Sequence, residues 1–353
     1  MNRSSFIIHR SSLREALESP FPLRGKGGDG GGAYKSAFIS LCAALATVLS
    51  PAQAQQYPTK PIRLIIPIVA GGGPDTIGRA VGQKLTENLR QTFVVDNRPG
   101  ASGAIAVELA SRAAPDGYTI LLISASQVIR PLLFKVPYDL FRDFVPITQL
   151  SSQSYVLMAS LTVPVKTVSE LVAHAQANPG KLNYASVGQG SQIHLMTELF
   201  RTLAKFQAVH VPYKGIGPAY PDLIAGNIQF MFGSIITSQG HIRAKRLQAL
   251  AVSGPKRIKA LPELPTVAEA GVRGFAVTQW YALLAPAGTP RSTVEFLNQE
   301  TNKALHQPDV SGRIAAEGSE AVGVTRQQLA AHMKAEQAKW ATVIKTAGIK
   351  GEE

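Results

Sequence analysis

Between residues 62 and 253 short apolar runs alternate with amphipathic stretches, and this alternation limits the fold more than any other feature of the chain. The runs "IRLIIP", "TFVVDN" and "YTILLIS" read as strands, with helices predicted over 76–89 and 102–113 between them. A second series follows. A helix opens at Thr167 with a capping box to Glu170, then come "LNYASVG", a helix over 193–204, "AVHVPY", a helix over 219–225, "IQFMFGS", a short helix at "HIRAKR" and "LQALAVS". Strand–helix–strand repetition implies parallel strands joined by crossover helices. Two extended stretches, "FVPITQLSSQSYVLMAS" (read as two segments) and "FAVTQWYALLAPAGTP", separate or follow the two series. Two terminal helices are expected to close the chain, one with Thr289 and Pro290 as N-cap and first residue, the other with a Thr325–Gln328 capping box. Two αβ units joined by two extended crossings point to two lobes with a cleft between them.

The 353 residues suffice for two domains, and 45% hydrophobic against 17% charged residues is the composition of a globular protein. Residues 1–54 stand apart. "AFISLCAALATVLS" is an apolar run preceded by Lys35, too short for a comfortable membrane span, and Ala52 and Ala54 form a small-residue cleavage pattern. A signal peptide cut after Ala54 is expected, with residues before Tyr34 reflecting a start codon set too far upstream. Lipidation of Cys42 is the weaker reading, because Leu41 stands where a small residue is needed and the apolar run continues past the cysteine. Without residues 1–54, which hold six basic and three acidic residues, the net charge falls from +13 to +10 and no cysteine remains. Thiol catalysis and disulfides are thereby excluded from the mature chain. Basic residues are not interleaved with aromatics in blocks, so nucleic acid is not an expected partner.

The stretch "RLIIPIVAGGGPDTIGRAVGQKL" carries the clearest chemistry. An apolar strand meets Gly71, Gly72 and Gly73, then Pro74, which suits the first helical position, and Asp75 in the first turn. The second unit holds a comparable loop, "SVGQGSQIHL". Each loop lies where a strand ends and a helix begins, which is where parallel sheets place ligands and where free helix N–H groups attract anions. The glycines also have a plainer reading as tight turns. His194 similarly has two, a polar residue on a first helical turn or a cleft residue touching a ligand. No Gly-x4-Gly-Lys-Ser/Thr, Gly-x-Ser-x-Gly or His-Glu-x-x-His pattern occurs, the Gly188–Gly190 loop lacks the third glycine of a dinucleotide fingerprint, and the six histidines from His174 to His332 show no metal-binding spacing. No cofactor, no metal and no catalytic residue is expected.

Taken in order, "YPTKPIRLIIP", the Gly-Gly loop with Asp75, "VVDNRPGASG", "AAPDGYT", "PYDLFRDFVPI", "PGKLNYASVGQGS", "VHVPYKG", "LPTVAEAG" and "LLAPAGTP" resemble the tripartite tricarboxylate transporter receptor family, the Bug-type extracytoplasmic solute receptors related to the citrate receptor TctC. The resemblance spans nearly all of residues 57–349. It implies an α/β fold of the two-lobe periplasmic-binding-protein class (type II), each lobe a mostly parallel sheet flanked by helices, with residues 55–158 and 276–353 in one lobe and 159–275 in the other. It implies a monomeric periplasmic receptor for a small organic acid, a di- or tricarboxylate or an aromatic carboxylate, held mainly by loop N–H groups and waters, and a partner transporter with large and small membrane subunits. A sensor that presents its ligand to a signalling kinase is the alternative. Carried over residue by residue, the binding set is Ile68, Val69, Gly71, Gly72 and Asp75, then Ser124, Ser126 and Gln127. The second lobe adds Gly188, Gly190, Ser191 and His194, then Tyr213, Lys214 and Gly215, then Gly233 and Ser234. Ile68 and Ala70 replace the family's usual Phe and Pro, and Gly233 stands where an acidic residue is common, which disfavours a ligand amino group. Arg130 replaces a common Asn and either faces a carboxylate or lies on the surface.

Overall fold

The computed structural model describes residues 57–351, so the expected signal segment, Cys42 and the cleavage site lie outside the described residues. Ten strands and ten α-helices are present among them. The strands are β1 (Ile62–Ile66), β2 (Phe93–Asn97), β3 (Thr119–Ser124), β4 (Phe144–Ser160), β5 (Asn183–Ser186), β6 (Val209–Pro212), β7 (Phe230–Ser234), β8 (Leu247–Val252), β9 (Thr278–Pro286) and β10 (Glu320–Ala321). The helices are α1 (Gly73–Leu89), α2 (Ala104–Ser111), α3 (Ala125–Leu133), α4 (Val168–Ala177), α5 (Gln192–Ala204), α6 (Ala219–Ala225), α7 (Ile235–Arg243), α8 (Arg291–Leu305), α9 (Pro308–Ala316) and α10 (Arg326–Ala347).

The parallel pairing read from the αβ repetition is present at the outer strands, β1 with β2 and β3, and β5 with β6 and β7. The centre of the sheet is antiparallel, because β9 inserts between β3 and β4, and β7 and β8 both run against β4. The two segments expected in "FVPITQLSSQSYVLMAS" are one 17-residue strand, β4. Its residues up to Ser154 pair with β9, and from Tyr155 onward it pairs with β7 and β8. A single strand thus passes from the first lobe into the second, with register shifts near Pro146 and Gln149 that bend it.

Local sequence accounts for most of the elements. In α1, Ile77, Val81 and Leu85 repeat at four-residue spacing and bury against Ile62, Leu64 and Ile66 of β1. A side chain at Gly78 would lie 2.7 Å from Ile66 Cδ1, so glycine there lets the helix settle onto the strand. Pro74 occupies the second rather than the first helical position, since α1 begins at Gly73. Either place lacks an intrahelical acceptor, so the missing N–H costs nothing. Thr167 caps α4 as expected, but the Glu170 carboxylate reaches the Lys166 N–H at 2.6 Å instead of closing the box on Thr167. The Thr325–Gln328 box is complete. Thr289 does not cap α8; Pro290 does, and the Thr289 hydroxyl donates to the Pro286 carbonyl. The helix expected at "HIRAKR" starts earlier, as α7, and α3, α9 and β10 were not anticipated. The lobes share a core on one face. Ile65, Leu121 and Trp280 belong to one buried cluster with Tyr184, Phe200 and Phe230, completed by Met333 and Trp340 of α10. That helix packs on both α3 and α5, and so bridges the two lobes.

Candidate functional site

Six helices, not two, follow parallel strands: α1 after β1, α2 after β2, α3 after β3, α5 after β5, α6 after β6 and α7 after β7. Three have serine caps. Ser124 closes a capping box with Gln127 at α3, Ser191 accepts from the His194 N–H at α5, and Ser234 accepts from the Thr237 N–H at α7. Each cap consumes a late first-turn donor and leaves the earliest amides of the turn for another acceptor.

At α1 the cap is Gly72, with no side chain to contribute. The loop is held by Asp75, which is only 3% exposed. Its carboxylate accepts from the Gly71 N–H, Arg79 Nε and Asn97 Nδ2, each at 2.9 Å. Burial pushes the Asp75 carboxyl upward, but the bonds from Arg79, Gly71 and Asn97 outweigh it and hold the group below the usual carboxylate range. Asp75 is therefore an ionised strut beneath the loop, with its oxygens turned inward to donors of its own lobe. Gly71 needs its φ of +89°, and Val69, 65% exposed, stands at the rim. Ile68 packs on the apolar cluster beneath β1.

The second-lobe loop is built on two imidazoles. His194 Nδ1 accepts the Gly190 N–H at 3.0 Å, so that nitrogen carries no proton. His210 Nε2 lies 2.6 Å from Ser186 Oγ, which in turn accepts the Gly188 N–H at 3.1 Å. The two rings stack at 3.9 Å, with Tyr184 against both. His194 is 5% exposed, and burial followed by the neighbouring His210 lowers its pKa to about 4. Of the two readings left open for His194, the geometry supports neither in full. It sits on the first helical turn, yet faces inward and fastens the loop. The Gly188 and Gly190 N–H groups are likewise bonded within the loop, and both glycines hold a positive φ, +114° and +69°.

The remaining candidates are placed as follows. Ser124 and Gln127 are buried and bond to each other at the head of α3, with Ser126 half-buried beside them. Tyr213 donates to Asp222 at 2.6 Å, Lys214 is exposed, and Gly215 has open space around its Cα at a φ of +141°. Gly233 is packed: a side chain there would lie 2.7 Å from Met158 Cε and from Tyr220 Oη, so an acidic residue would have to displace one of them. Arg130 lies near the far end of α3 with its guanidinium 4.6 Å over the Phe134 ring, away from the strand ends.

A cavity of about 240 Å³ joins the head of α1 to the head of α7. Gly73 and Ile77 line one side, Ser234, Ile236 and Thr237 the other, and Gln153, Tyr281, Glu317 and Ser319 the floor. Next to it, Tyr155 Oη lies within bonding distance of the Gln192 and Gln279 amide oxygens, and Gln192 Nε2 donates to the Thr278 carbonyl. Gln153, Tyr155, Gln279 and Tyr281 went unnoticed in the sequence. They occupy alternate positions of the two central strands, and a polar or amphipathic side chain at every second residue of an otherwise buried strand is the signal that marks them.

The model of the tripartite tricarboxylate transporter family receptor matches residues 77–349. A Pseudomonas sp. (strain P51) protein described as a UPF0065 protein in the tcbD-tcbE intergenic region is 40% identical over 306 residues, 85% of this chain and 91% of that one. Protein BugT of Bordetella pertussis is 34% identical over 317 residues, 89% of this chain and 97% of its own. Among solved structures, R. palustris Rpa4515 with adipate is 34% identical with a TM-score of 0.71, covering 84% of this chain and all of that one. MatC from Rhodopseudomonas palustris with bound malate is 30% identical with a TM-score of 0.67, over 82% and 100% of the two chains.

Proposed function

This chain belongs to the tripartite tricarboxylate transporter receptor family, a family of periplasmic solute receptors and not of enzymes, and we propose that it captures a small organic acid for a tripartite membrane transporter. The observation that carries the proposal is the pair of helix N-termini at the strand ends, the heads of α1 and α7, facing each other across one cavity. Helix N-termini favour negative charge, and two placed opposite each other suit a molecule with a carboxylate at each end. The relatives solved with adipate and malate carry dicarboxylates, which supports the same class here. In this reading residues 55–158 with 276–353 and residues 159–275 move as two bodies. They close over the acid about β4 and the 253–277 crossing, while α10 holds the opposite side together. No specific observation favours the sensor alternative.

A thermal-shift screen tests the ligand class. A ligand that binds only the folded protein stabilises it by about 2.7 kcal/mol at a hundred times its Kd, which for domains of this size is a rise of roughly 5–10 °C. C4 to C6 dicarboxylates are expected to give that rise. Sugars or cationic amines giving it, with every carboxylate silent, would overturn the assignment. The substitution Gly190→Val should weaken the binding of a stabilising acid at least about tenfold, or roughly 1.4 kcal/mol. A β-branched residue cannot hold the φ of +69°, and its Cβ would lie 2.5 Å from Leu133 Cδ1. Lys214→Ala, an exposed side chain, should cost much less; calorimetry that finds the reverse order refutes binding by loop geometry.

The proposal includes export, resting on the apolar run from Ala37 and the Ala52-x-Ala54 pattern. The N-terminus of protein recovered from the periplasm is expected at Gln55. An intact Met1 there, or a lipid on Cys42, excludes cleavage after Ala54.

A further inference from the structure

A second cavity, of about 430 Å³, lies beside the strand that joins the lobes. Ser152 and Ser154 of β4 line it, whereas Gln153 between them lines the cavity at the helix heads. Successive strand residues point to opposite faces, so the two cavities flank β4 on opposite faces and adjoin at Ser319, which borders both. None of the candidate loop residues borders the larger one.

Its walls and its polar groups are of different kinds. Ile235, Ile258, Ala315 and Val322 supply apolar surface, drawn from α7, the crossing after β8, α9 and the segment after β10. Against this stand a few convergent polar groups. Ser319 and Ser154 are more than nine-tenths buried, and neither hydroxyl has a hydrogen-bond partner among the described residues. His332 of α10 also borders the cavity, with its Nε2 shielded and unpartnered and its ring edge-on to Trp280 at 5.0 Å. At the mouth Lys256 is paired with Glu320 at 2.7 Å, while Lys259 makes no ion pair among the described residues. The charge left over is positive, and the two serine hydroxyls can donate.

Small-molecule sites occupy about 300–1,000 Å³ and are mostly apolar with a few placed polar groups. We propose that this cavity is a second binding site, distinct from the cleft, for a monocarboxylate with an apolar body. The carboxylate meets Lys259 at the mouth and the donors inside, and the hydrocarbon lies along Ile235, Ile258 and Val322. A dicarboxylate fits this site poorly, because its second charge would be buried against apolar walls.

Octanoate is the probe, with octan-1-ol as its uncharged counterpart and adipate as the cleft control, all titrated calorimetrically into the mature protein. One octanoate is expected to bind per chain, at least tenfold more tightly than octan-1-ol. Ala260→Trp plugs the mouth from an exposed position, and Lys259→Glu reverses the free charge, also at an exposed position; each should weaken octanoate at least tenfold. Adipate should neither compete with octanoate nor respond to either substitution. The proposal is overturned if octanoate fails to bind at millimolar concentration, if octan-1-ol binds equally well, if both variants stay within twofold of the parent, or if adipate displaces octanoate competitively. Failure of adipate to bind at all would count against the organic-acid reading of the cleft and leave the octanoate result standing.

Discussion

Between pH 7 and pH 4 the His194 imidazole is expected to cost the protein about 3 kcal/mol of stability, the free-energy equivalent of moving its pKa from the ordinary 6.5 to about 4. The direction follows from which state binds the proton first. The native pKa lies below the unfolded one, so the unfolded chain protonates first as the pH falls. The contribution is whole above about pH 6.5, declines through the interval, and is gone once the pH has passed the native value near 4. Burial is the main cause, and the stacked His210, itself lowered by burial, adds to it. Glu198 pulls the other way and Arg201 opposes it; with Tyr184 these are the titratable groups that face the ring. Protonation also removes the acceptor for the Gly190 N–H, so the loop should loosen before the domain unfolds. His194→Asn separates this effect from general acid destabilisation, because an asparagine oxygen can stand near the Nδ1 position and does not titrate. Urea unfolding of the two proteins at pH 7 and pH 4 should show the parent losing about 3 kcal/mol more than the variant, with faster Gly190 amide exchange in the parent at the lower pH. Equal losses in both proteins would falsify the assignment.

Glu198→Ala is expected to be more damaging, at about 3–5 kcal/mol, because it strands a half-buried guanidinium and a buried phenol. The Glu198 carboxylate accepts from Arg201 Nε at 2.9 Å and Nη2 at 2.6 Å, and from the Tyr184 hydroxyl. Glu198 is 5% exposed and Tyr184 fully buried. Burial alone would raise the Glu198 carboxyl, but the Arg201 and Tyr184 bonds and the guanidinium charge bring it below its ordinary value. Removing the acid leaves a half-buried guanidinium and a buried phenol unsatisfied directly beneath the His194–His210 stack. The Glu198→Ala/Arg201→Ala pair should lose less than the sum of its single changes, since the second deletion removes the stranded charge. A single-variant loss under about 1 kcal/mol in urea unfolding, or strict additivity in the cycle, would show that water replaces the lost carboxylate.

Both predictions concern residues whose chemistry was only half legible in the sequence. The αβ alternation was readable because buried parallel strands must be apolar runs and their crossover helices amphipathic, so β1, β3, β5 and α5 emerged within a residue or two of their observed ends. The glycine loops were readable for a similar local reason: positive φ at Gly71, Gly188 and Gly190 leaves few alternatives to glycine. Threonine caps at Thr167 and Thr325 are set by bonds that span three residues, and the chain itself therefore specifies them. None of this depends on what lies across the sheet.

Tertiary structure decided everything that depends on distant neighbours. Periodicity could not separate one 17-residue β4 from two shorter strands, because the difference lies in which partner each half meets, β9 or β7 and β8. The role of His194 was hidden for the same reason. His210 lies sixteen positions away in sequence, yet its ring rests 3.9 Å from His194, and only that stacking together with the bond to Gly190 makes it a loop fastener. Gln153 and Tyr281 reach the cavity floor because β4 and β9 pair antiparallel there, and the cavity of 430 Å³ on the opposite face exists only where α7, α9, α10 and the crossing after β8 meet. Local conformation is set by steric and hydrogen-bond preferences a few residues long, so one chain determines it alone. A binding site is set by side chains far apart in sequence, and it is decided only when packing brings them within reach.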